Sequence, residues 1–110
     1  MKRLSHSLWR PFYAGARNEV GVLHLVIRGS VQGVGFRYFT RSTAQRCGVA
    51  GWVRNRDDGA VEIAASGSDQ ALESFLAIVQ RGPSGSRIDG VEHLPAGSAG
   101  EFGSTFSVRR

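Results

Sequence analysis

Two segments with the apolar periodicity of an amphipathic helix constrain the fold of this chain most. In residues 36–47 (FRYFTRSTAQRC) apolar and small side chains recur on one helical face, and Gly48 ends the pattern. In residues 69–81 apolar side chains recur at positions i, i+3, i+4 and i+7. Both segments therefore predict helices that bury one face against another layer. The residues on these faces are Phe36, Phe39, Thr43, Ala44 and Cys47 in the first helix and Leu72, Phe75, Leu76 and Val79 in the second.

Short runs rich in β-branched residues flank the two helices and predict strands. The turn signal RDDG joins the second and third of these runs into a hairpin. The order β-α-β-β-α-β predicts an α+β fold, a ferredoxin-like split β-α-β-β-α-β sandwich with an antiparallel sheet, two helices on one face and a short C-terminal strand. Gly90 predicts a bulge or a weak edge in the fourth strand. The runs are VGVLHLVIRG (20–29), VAGWVRN (49–55), AVEIAAS (60–66), RIDGVEHL (87–94) and STFSVRR (104–110).

Length and charge suggest one domain behind a basic extension. A chain of 110 residues has room for a single core, and residues 1–19 show neither strand nor helix periodicity. We therefore expect an N-terminal extension at 1–19 and one domain at 20–110. Four cations and one acid give the first twenty residues a charge of +3, and ten arginines and eight acids give the rest +2. The folded part is thus only weakly basic.

The number of cysteines and the hydropathy of the chain indicate the cellular compartment in which the protein works. One cysteine excludes an intramolecular disulfide, and no Cys/His spacing resembles a zinc site. No apolar run reaches the ~18 residues that a membrane span needs. These features predict a cytoplasmic protein with no membrane partner and no metal.

The junction GSVQGVGFR at residues 29–37 is the first candidate for a functional site. It joins a predicted strand to the amino end of a predicted helix, where backbone N–H groups and the helix dipole favour an anion. Its three glycines allow close backbone approach to a ligand. Arg37 lies in the first turn of the predicted helix, where the helix dipole disfavours a cation. Its position is explained if a bound anion is its partner. A plain connection with a solvated arginine fits the spacing equally well.

Nucleotide binding is disfavoured at this junction. A P-loop would continue with Gly-Lys-Ser/Thr, which is missing here. In a dinucleotide fingerprint, the third glycine would stand where this chain has Tyr38.

Topology adds Asn55 as a second candidate. In a βαβ crossover the two strands are parallel, so their carboxyl ends lie at the same edge of the sheet. Asn55 closes the second predicted strand and should therefore face the same edge as the 30–37 loop, with one strand between them. A phosphoryl group and a water would fit between Arg37 and Asn55. Asn55 could equally serve only as a turn residue before the RDDG segment.

Two motifs at this spacing resemble the signature of the acylphosphatase family. The first is Gly29-x-Val31-Gln32-Gly33-Val34-x-Phe36-Arg37. The second is Gly51-Trp52-Val53-Arg54-Asn55, followed by Asp58-Gly59-x-Val61-Glu62. Ala44, Gly48, Gly67, Phe75 and Gly82-Pro83 also fit, so the resemblance covers about residues 20–110. The chain departs from the family pattern in its extension, in Gly90 and in its Arg109-Arg110 end.

The resemblance implies metal-independent hydrolysis of the carboxyl–phosphate bond of small acyl phosphates, with in-line attack by water and no cofactor. It implies that Arg37 and the loop amides bind the phosphoryl group, and that Asn55 orients the water. Inorganic phosphate would be product and inhibitor, and the protein would be a monomer. The implied phosphate-binding loop comprises Ser30, Val31, Gln32, Gly33, Val34, Gly35, Phe36 and Arg37.

Two other functional classes remain open at this stage. A ferredoxin-like sheet with arginines and aromatics can bind single-stranded nucleic acid, but the weakly basic domain and the missing RNP-type motif count against a specific site. An acylphosphatase-like module that binds phosphate without turnover is the other alternative. A domain of a larger carbamoyl-phosphate-processing protein, as in hydrogenase maturation, is not expected because the chain ends at residue 110 with one cysteine.

Several chemically active residue types are better explained by packing or by turns. Cys47 shares the apolar helix face, His24 lies in a buried strand, and Trp52 alternates with Val53 along the second strand. Asp57 and Asp58 lie in a turn, where solvated carboxylates are common. We assign no function to these residues, or to His6 and His93, because no other candidate metal ligand stands at ligand spacing from them in the sequence.

Overall fold

A computed structural model of the protein describes residues 21–99 and 102–110. Both helices and all five strands are present, and their ends differ from the predicted ones by at most two residues. The predicted extension at 1–19, with His6, lies outside the described residues. In chain order the elements are β1 (Gly21–Ser30), α1 (Phe36–Cys47), β2 (Ala50–Asn55), β3 (Val61–Gly67), α2 (Asp69–Val79), β4 (Arg87–His93), a 3₁₀ turn (Ala96–Ala99) and β5 (Phe106–Arg109).

The five strands form one sheet in the order β4-β1-β3-β2-β5. β3 lies between β1 and β2 and pairs antiparallel with both, so β1 and β2 run in the same direction. β5 pairs parallel with β2 and places Arg109 opposite Arg54. The sheet is therefore mixed: the four strands of the predicted sandwich are antiparallel, as predicted, and the short C-terminal strand β5, whose direction was not predicted, joins them in parallel. The connection from β4 leads to the opposite edge of the sheet, where β5 runs in the direction of β2.

The main core lies between the sheet and the two helices. β1 contributes Leu23, Leu25 and Ile27, while Phe36 and Phe75 fill the space beneath α1 and α2. These side chains are at most 2% exposed, and burying one such side chain is worth about 1.5–3 kcal/mol. The helices thus cover one face of the sheet, as predicted from their periodicity.

The buried face of α1 differs from the predicted one at three positions. Phe39 and Cys47 are only half-buried, whereas Thr40 is fully buried together with Thr43. Each threonine hydroxyl donates a hydrogen bond to the backbone carbonyl four residues earlier, at 2.9 Å. This local bond satisfies the hydroxyl, which is why a polar residue tolerates a core position.

The second face of the sheet carries a smaller cluster in which Trp52 packs on Ala64, with Val22 and Phe102 beside them. His24 contacts the Trp52 ring edge-on at 5.9 Å between ring centroids. The packing role predicted for Trp52 is confirmed. His24 is buried and hydrogen-bonded to Glu62, as expected of a structural histidine.

The irregularity predicted at Gly90 is also present. Arg28 pairs with Gly90 but Gly29 pairs with Ile88, so Asp89 is an extra residue on β4. β4 is one edge of the sheet, and most of its residues are exposed. Neither helix of the described residues is long and apolar enough to cross a membrane.

Candidate active site

The loop between β1 and α1 leaves the first turn of the helix open to an anion. Gly33 and Gly35 have φ of 80° and 78°, left-handed values that favour glycine, and Gly35 is the N-cap residue. No side chain caps this helix end, and its first turn holds no acidic residue. The first amides of a helix have no partner within the helix, so they point out of its end with the positive pole of its dipole.

The side chain of Gln32 anchors this loop to the β2–β3 hairpin. Its Nε2 donates to the carbonyl oxygens of Arg56 and Ala60, at 2.8 and 2.9 Å. Those two residues are themselves joined, since the Arg56 amide donates to the Ala60 carbonyl at 2.8 Å. Gln32 was predicted as a ligand-binding position, but its side-chain amide nitrogen is committed to holding two parts of the chain together.

Arg37 is half-buried in the first turn of α1 and is held by the last strand. Its Nη1 donates to the carbonyl oxygen of Arg109 at 3.0 Å. A guanidinium has five N–H donors, so several others remain for a ligand. The contribution of Arg109 was missed in the sequence, because it depends on the parallel pairing of β5 with β2.

Asn55 closes β2 and meets Arg37 across a cavity of about 160 Å³. The two predicted residues therefore face one space at the shared carboxyl edge of β1 and β2. Tyr38 is a further lining residue, and it was not predicted as part of the site. The sequence could have indicated this role, because Tyr38 follows Arg37 in the first turn of the predicted helix. The cavity is lined by Val31, Gly33, Gly35, Phe36, Arg37, Tyr38 and Asn55.

The remaining loop positions have other surroundings. Ser30 pairs with Arg87 in the sheet and is exposed. Val34 packs against the main core. The structure thus brings five of the eight predicted loop residues to the cavity, while Ser30, Gln32 and Val34 do not line it.

Glu62 forms a buried ionic hub beneath Asn55. It contacts Arg54 and Arg56, the two residues that flank Asn55 in sequence. Its Oε1 accepts from Nε and Nη2 of Arg54, at 2.9 and 2.7 Å, and lies 3.9 Å from Nη1 of Arg56. Its Oε2 is 2.7 Å from Nε2 of His24. Burial alone would raise the pKa of Glu62, but the hydrogen bond with His24 and the charge of Arg54 outweigh it and hold that pKa below its ordinary value.

Asp58 supports the hairpin on its exposed side. It accepts hydrogen bonds from Arg56, from the Ala60 amide and from Arg28, and these contacts hold the pKa of its carboxyl well below the ordinary range. Asp57 and Asp58 are both exposed, as expected for turn residues. The hairpin that carries Asn55 is thus held by two carboxylates, Glu62 and Asp58.

A larger cleft of about 720 Å³ lies where the end of α1 meets the start of β5. Cys47 is half-buried at its wall, and none of the described lining residues is charged. Within the described part of the chain, no group of three His, Cys, Asp or Glu residues is arranged to hold a metal ion. The smaller cavity differs from this cleft because it combines a cation, uncapped helix amides and a side-chain amide, a combination suited to binding a phosphoryl group.

Comparison with known proteins agrees with this geometry. The family model "Acylphosphatase" matches residues 23–108. The acylphosphatase of Nitrobacter hamburgensis is 50% identical over 80 residues, which are 73% of this chain and 81% of that protein. The crystal structure of acylphosphatase from Bacillus subtilis superimposes with a TM-score of 0.75 at 38% identity, covering 84% of this chain and all of that one. An acylphosphatase structure from Coxiella burnetii gives 0.73 at 28% identity, over 87% of this chain and 99% of that one. The chain therefore belongs to the acylphosphatase family, and its activity is that of an acylphosphatase.

Proposed function

We propose that Arg37 and the amides at the start of α1 bind the phosphoryl group of a small acyl phosphate, and that Asn55 orients the attacking water. The shared cavity is the observation that supports these roles. Arg37 and the helix start form one wall, and Asn55 at the end of β2 forms the other. A phosphoryl group held on the first wall presents its phosphorus to a water hydrogen-bonded to the second.

The proposed reaction needs little chemistry from the protein. The water oxygen forms a bond to phosphorus while the bond from phosphorus to the carboxyl oxygen breaks, in line with the attack. The carboxylate leaves with the electron pair, and the proton lost by the water stays on the phosphate. Because a carboxylate is a good leaving group, no general acid and no metal is required. Positioning and charge stabilisation supply the catalysis.

The contacts around the cavity support preorganisation of these donors. Arg109 holds one nitrogen of the Arg37 guanidinium, and Gln32 holds the loop against the hairpin that carries Asn55. Donors fixed before the substrate binds lose no free energy to reorganisation as charge develops. Removing one such donor costs about 3–4 kcal/mol of transition-state stabilisation, or about 10²- to 10³-fold in kcat.

The proposal extends to the surroundings of the reaction. Inorganic phosphate is the product, and it competes for the same cavity because it offers the same oxyanions. The protein works as a monomer in the cytoplasm, where its single cysteine stays reduced.

Hydrolysis of benzoyl phosphate in the presence of EDTA tests this proposal. We expect wild-type protein to turn over and to be inhibited competitively by phosphate. Arg37→Gln should abolish turnover and phosphate inhibition together. Asn55→Ala should lower kcat about 10²-fold or more while the inhibition constant for phosphate changes little. Arg46→Gln, which removes an exposed arginine at the other end of α1, is the matched control and should behave as wild type.

Two outcomes would contradict the proposed roles. If Asn55→Ala weakened phosphate inhibition as much as Arg37→Gln does, Asn55 would bind the phosphoryl group and would not act through water. If EDTA removed the activity of the wild-type protein, hydrolysis would depend on a metal ion.

A further inference from the structure

The cavity at the helix start is small. Its volume is about 160 Å³, below the range of about 300–1,000 Å³ that is typical of pockets for drug-sized ligands. Under the proposed function the phosphoryl group and the water occupy this space. The acyl group must then lie at the rim, against side chains that the catalytic roles leave unassigned.

Tyr38 provides an apolar surface at that rim. It lines the cavity next to Arg37 and is 57% exposed. Among the residues that the structure describes, it is the large hydrophobic residue that is exposed. An aromatic ring at the mouth of a polar cavity offers contact area to a carbon skeleton at low entropic cost, because the side chain has only two rotatable angles. The acyl carbons of a bound substrate can pack on this ring.

Arg41 extends this surface with a positive charge. Its guanidinium carbon lies 5.3 Å from the centre of the Tyr38 ring. Long side chains on a helix lean toward its N-terminus, so the Arg41 guanidinium lies over the turn that lines the cavity. Stacking on the ring restricts the guanidinium and leaves its edge N–H groups available to an acceptor.

The charge next to Arg41 on its own helix has the same sign. Arg28, Arg54, Arg56 and Arg87 each have a carboxylate within 4 Å, but among the described residues neither Arg37 nor Arg41 does, and the same holds for Arg46 and Arg81. Arg37 and Arg41 are spaced i, i+4 on one helix face, where like charges repel and destabilise the helix. A bound molecule with two separated negative groups would relieve this repulsion.

We propose that Tyr38 and Arg41 form the acyl-group subsite, and that it selects acyl phosphates with a second anionic group on the acyl side. This inference rests on the proposed function, because it assumes that Arg37 holds the phosphoryl group. The second anionic group accepts hydrogen bonds from Arg41, and the carbon skeleton between the two anions packs on Tyr38. Arg41 is thus a specificity-determining residue.

Two substrates that differ by one carboxylate test the subsite. Benzoyl phosphate and 4-carboxybenzoyl phosphate have the same aromatic acyl core. The quantity measured is kcat/KM for 4-carboxybenzoyl phosphate divided by kcat/KM for benzoyl phosphate, both on the same protein sample. That ratio does not depend on how much of a variant is folded. We expect Arg41→Gln to lower the ratio about five- to tenfold in favour of benzoyl phosphate, as for loss of one charge-assisted contact. Arg41→Lys, which keeps the charge without the planar stack, should give an intermediate ratio.

Arg46→Gln is the matched control, because it removes the same charge from the same helix at the end remote from the cavity. A ratio that falls in Arg41→Gln and stays at the wild-type value in Arg46→Gln supports the subsite. An equal fall in both variants would assign the preference to overall charge and overturn it, as would an unchanged ratio in Arg41→Gln. Failure of the wild type to hydrolyse benzoyl phosphate would instead refute the proposed function itself.

Discussion

Replacing Glu62 by glutamine tests how much the ionic hub beneath the active site stabilises the fold. Glu62 is 7% exposed, and it joins β1, β2 and β3 through His24 and Arg54. Glutamine keeps the shape and can still form a hydrogen bond to each partner, but without the negative charge. The substitution therefore isolates the contribution of the negative charge.

The contacts give the size of the effect. A hydrogen bond to a charged group stabilises by about 1.5–3 kcal/mol and a neutral one by about 0.5–1.5 kcal/mol, so each bond loses about 1 kcal/mol with the charge. The bond to His24 counts fully, because the His24 side chain is 4% exposed. The two bonds from Arg54 count about half, because that side chain is 43% exposed and screened by water. We expect Glu62→Gln to lower the free energy of unfolding by about 2 kcal/mol at neutral pH.

The pH dependence provides a second test with a definite sign. The pKa of Glu62 is lower in the folded protein than its ordinary value of 4.5. Folding therefore favours the ionised form, and the resulting stability is fully present above about pH 4.5 and is lost as the pH falls through the folded pKa. Because the glutamine variant cannot lose this contribution, the difference between the two proteins should narrow in acid.

Urea denaturation at neutral pH and at about pH 3.5 measures both effects. Glu92→Gln is the matched control, since it also breaks a carboxylate–arginine pair on the sheet but at an exposed position. It should cost much less than Glu62→Gln. The reasoning would be refuted if Glu62→Gln were as stable as wild type at neutral pH, if the difference were the same in acid, or if both variants cost the same.

Two further substitutions test close packing and loop anchoring. Gly51→Ala would place a Cβ 1.9 Å from the Ala64 carbonyl oxygen at a φ of 141°, so we expect a loss of about 3 kcal/mol or more in urea denaturation. Gly90→Ala, whose Cβ would meet nothing within 4 Å, should leave stability unchanged or slightly raised, and an equal loss in both would contradict the steric argument. Gln32→Leu removes both bonds from the loop to the hairpin, and we expect the inhibition constant for phosphate to rise at least several-fold, at about 1 kcal/mol per bond. An unchanged constant would show that the loop keeps its shape without this anchor.

Local features of the chain were predictable because they depend on neighbours in sequence. The apolar spacing of residues 69–81 and the stop at Gly48 predicted the helices, and β-branched runs predicted the strands to within two residues. The meeting of Arg37 and Asn55 at one edge followed from the connectivity, since one βαβ crossover makes the carboxyl ends of β1 and β2 coincide.

The contacts that shape the site could not be predicted in this way. Arg37 reaches the carbonyl of Arg109 across 72 positions, and His24 reaches Glu62 across 38. Each depends on the register of strand pairs and on the direction in which β5 returns, which the alternation of side chains does not specify.

The amino-acid sequence by itself determined the order of elements, the amphipathic faces and the two residues that meet at the cavity. These follow from periodicity, from glycine at the loop and from chain connectivity, all of which act over short distances or through general rules of handedness. Only the tertiary structure decided that the sheet is mixed, that Gln32 ties the loop to the hairpin, that Glu62 is a buried hub and that Arg41 stacks on Tyr38. The physical reason is that these contacts form only after folding has brought the side chains within hydrogen-bond or packing distance of one another, and the local sequence pattern does not specify which side chains meet.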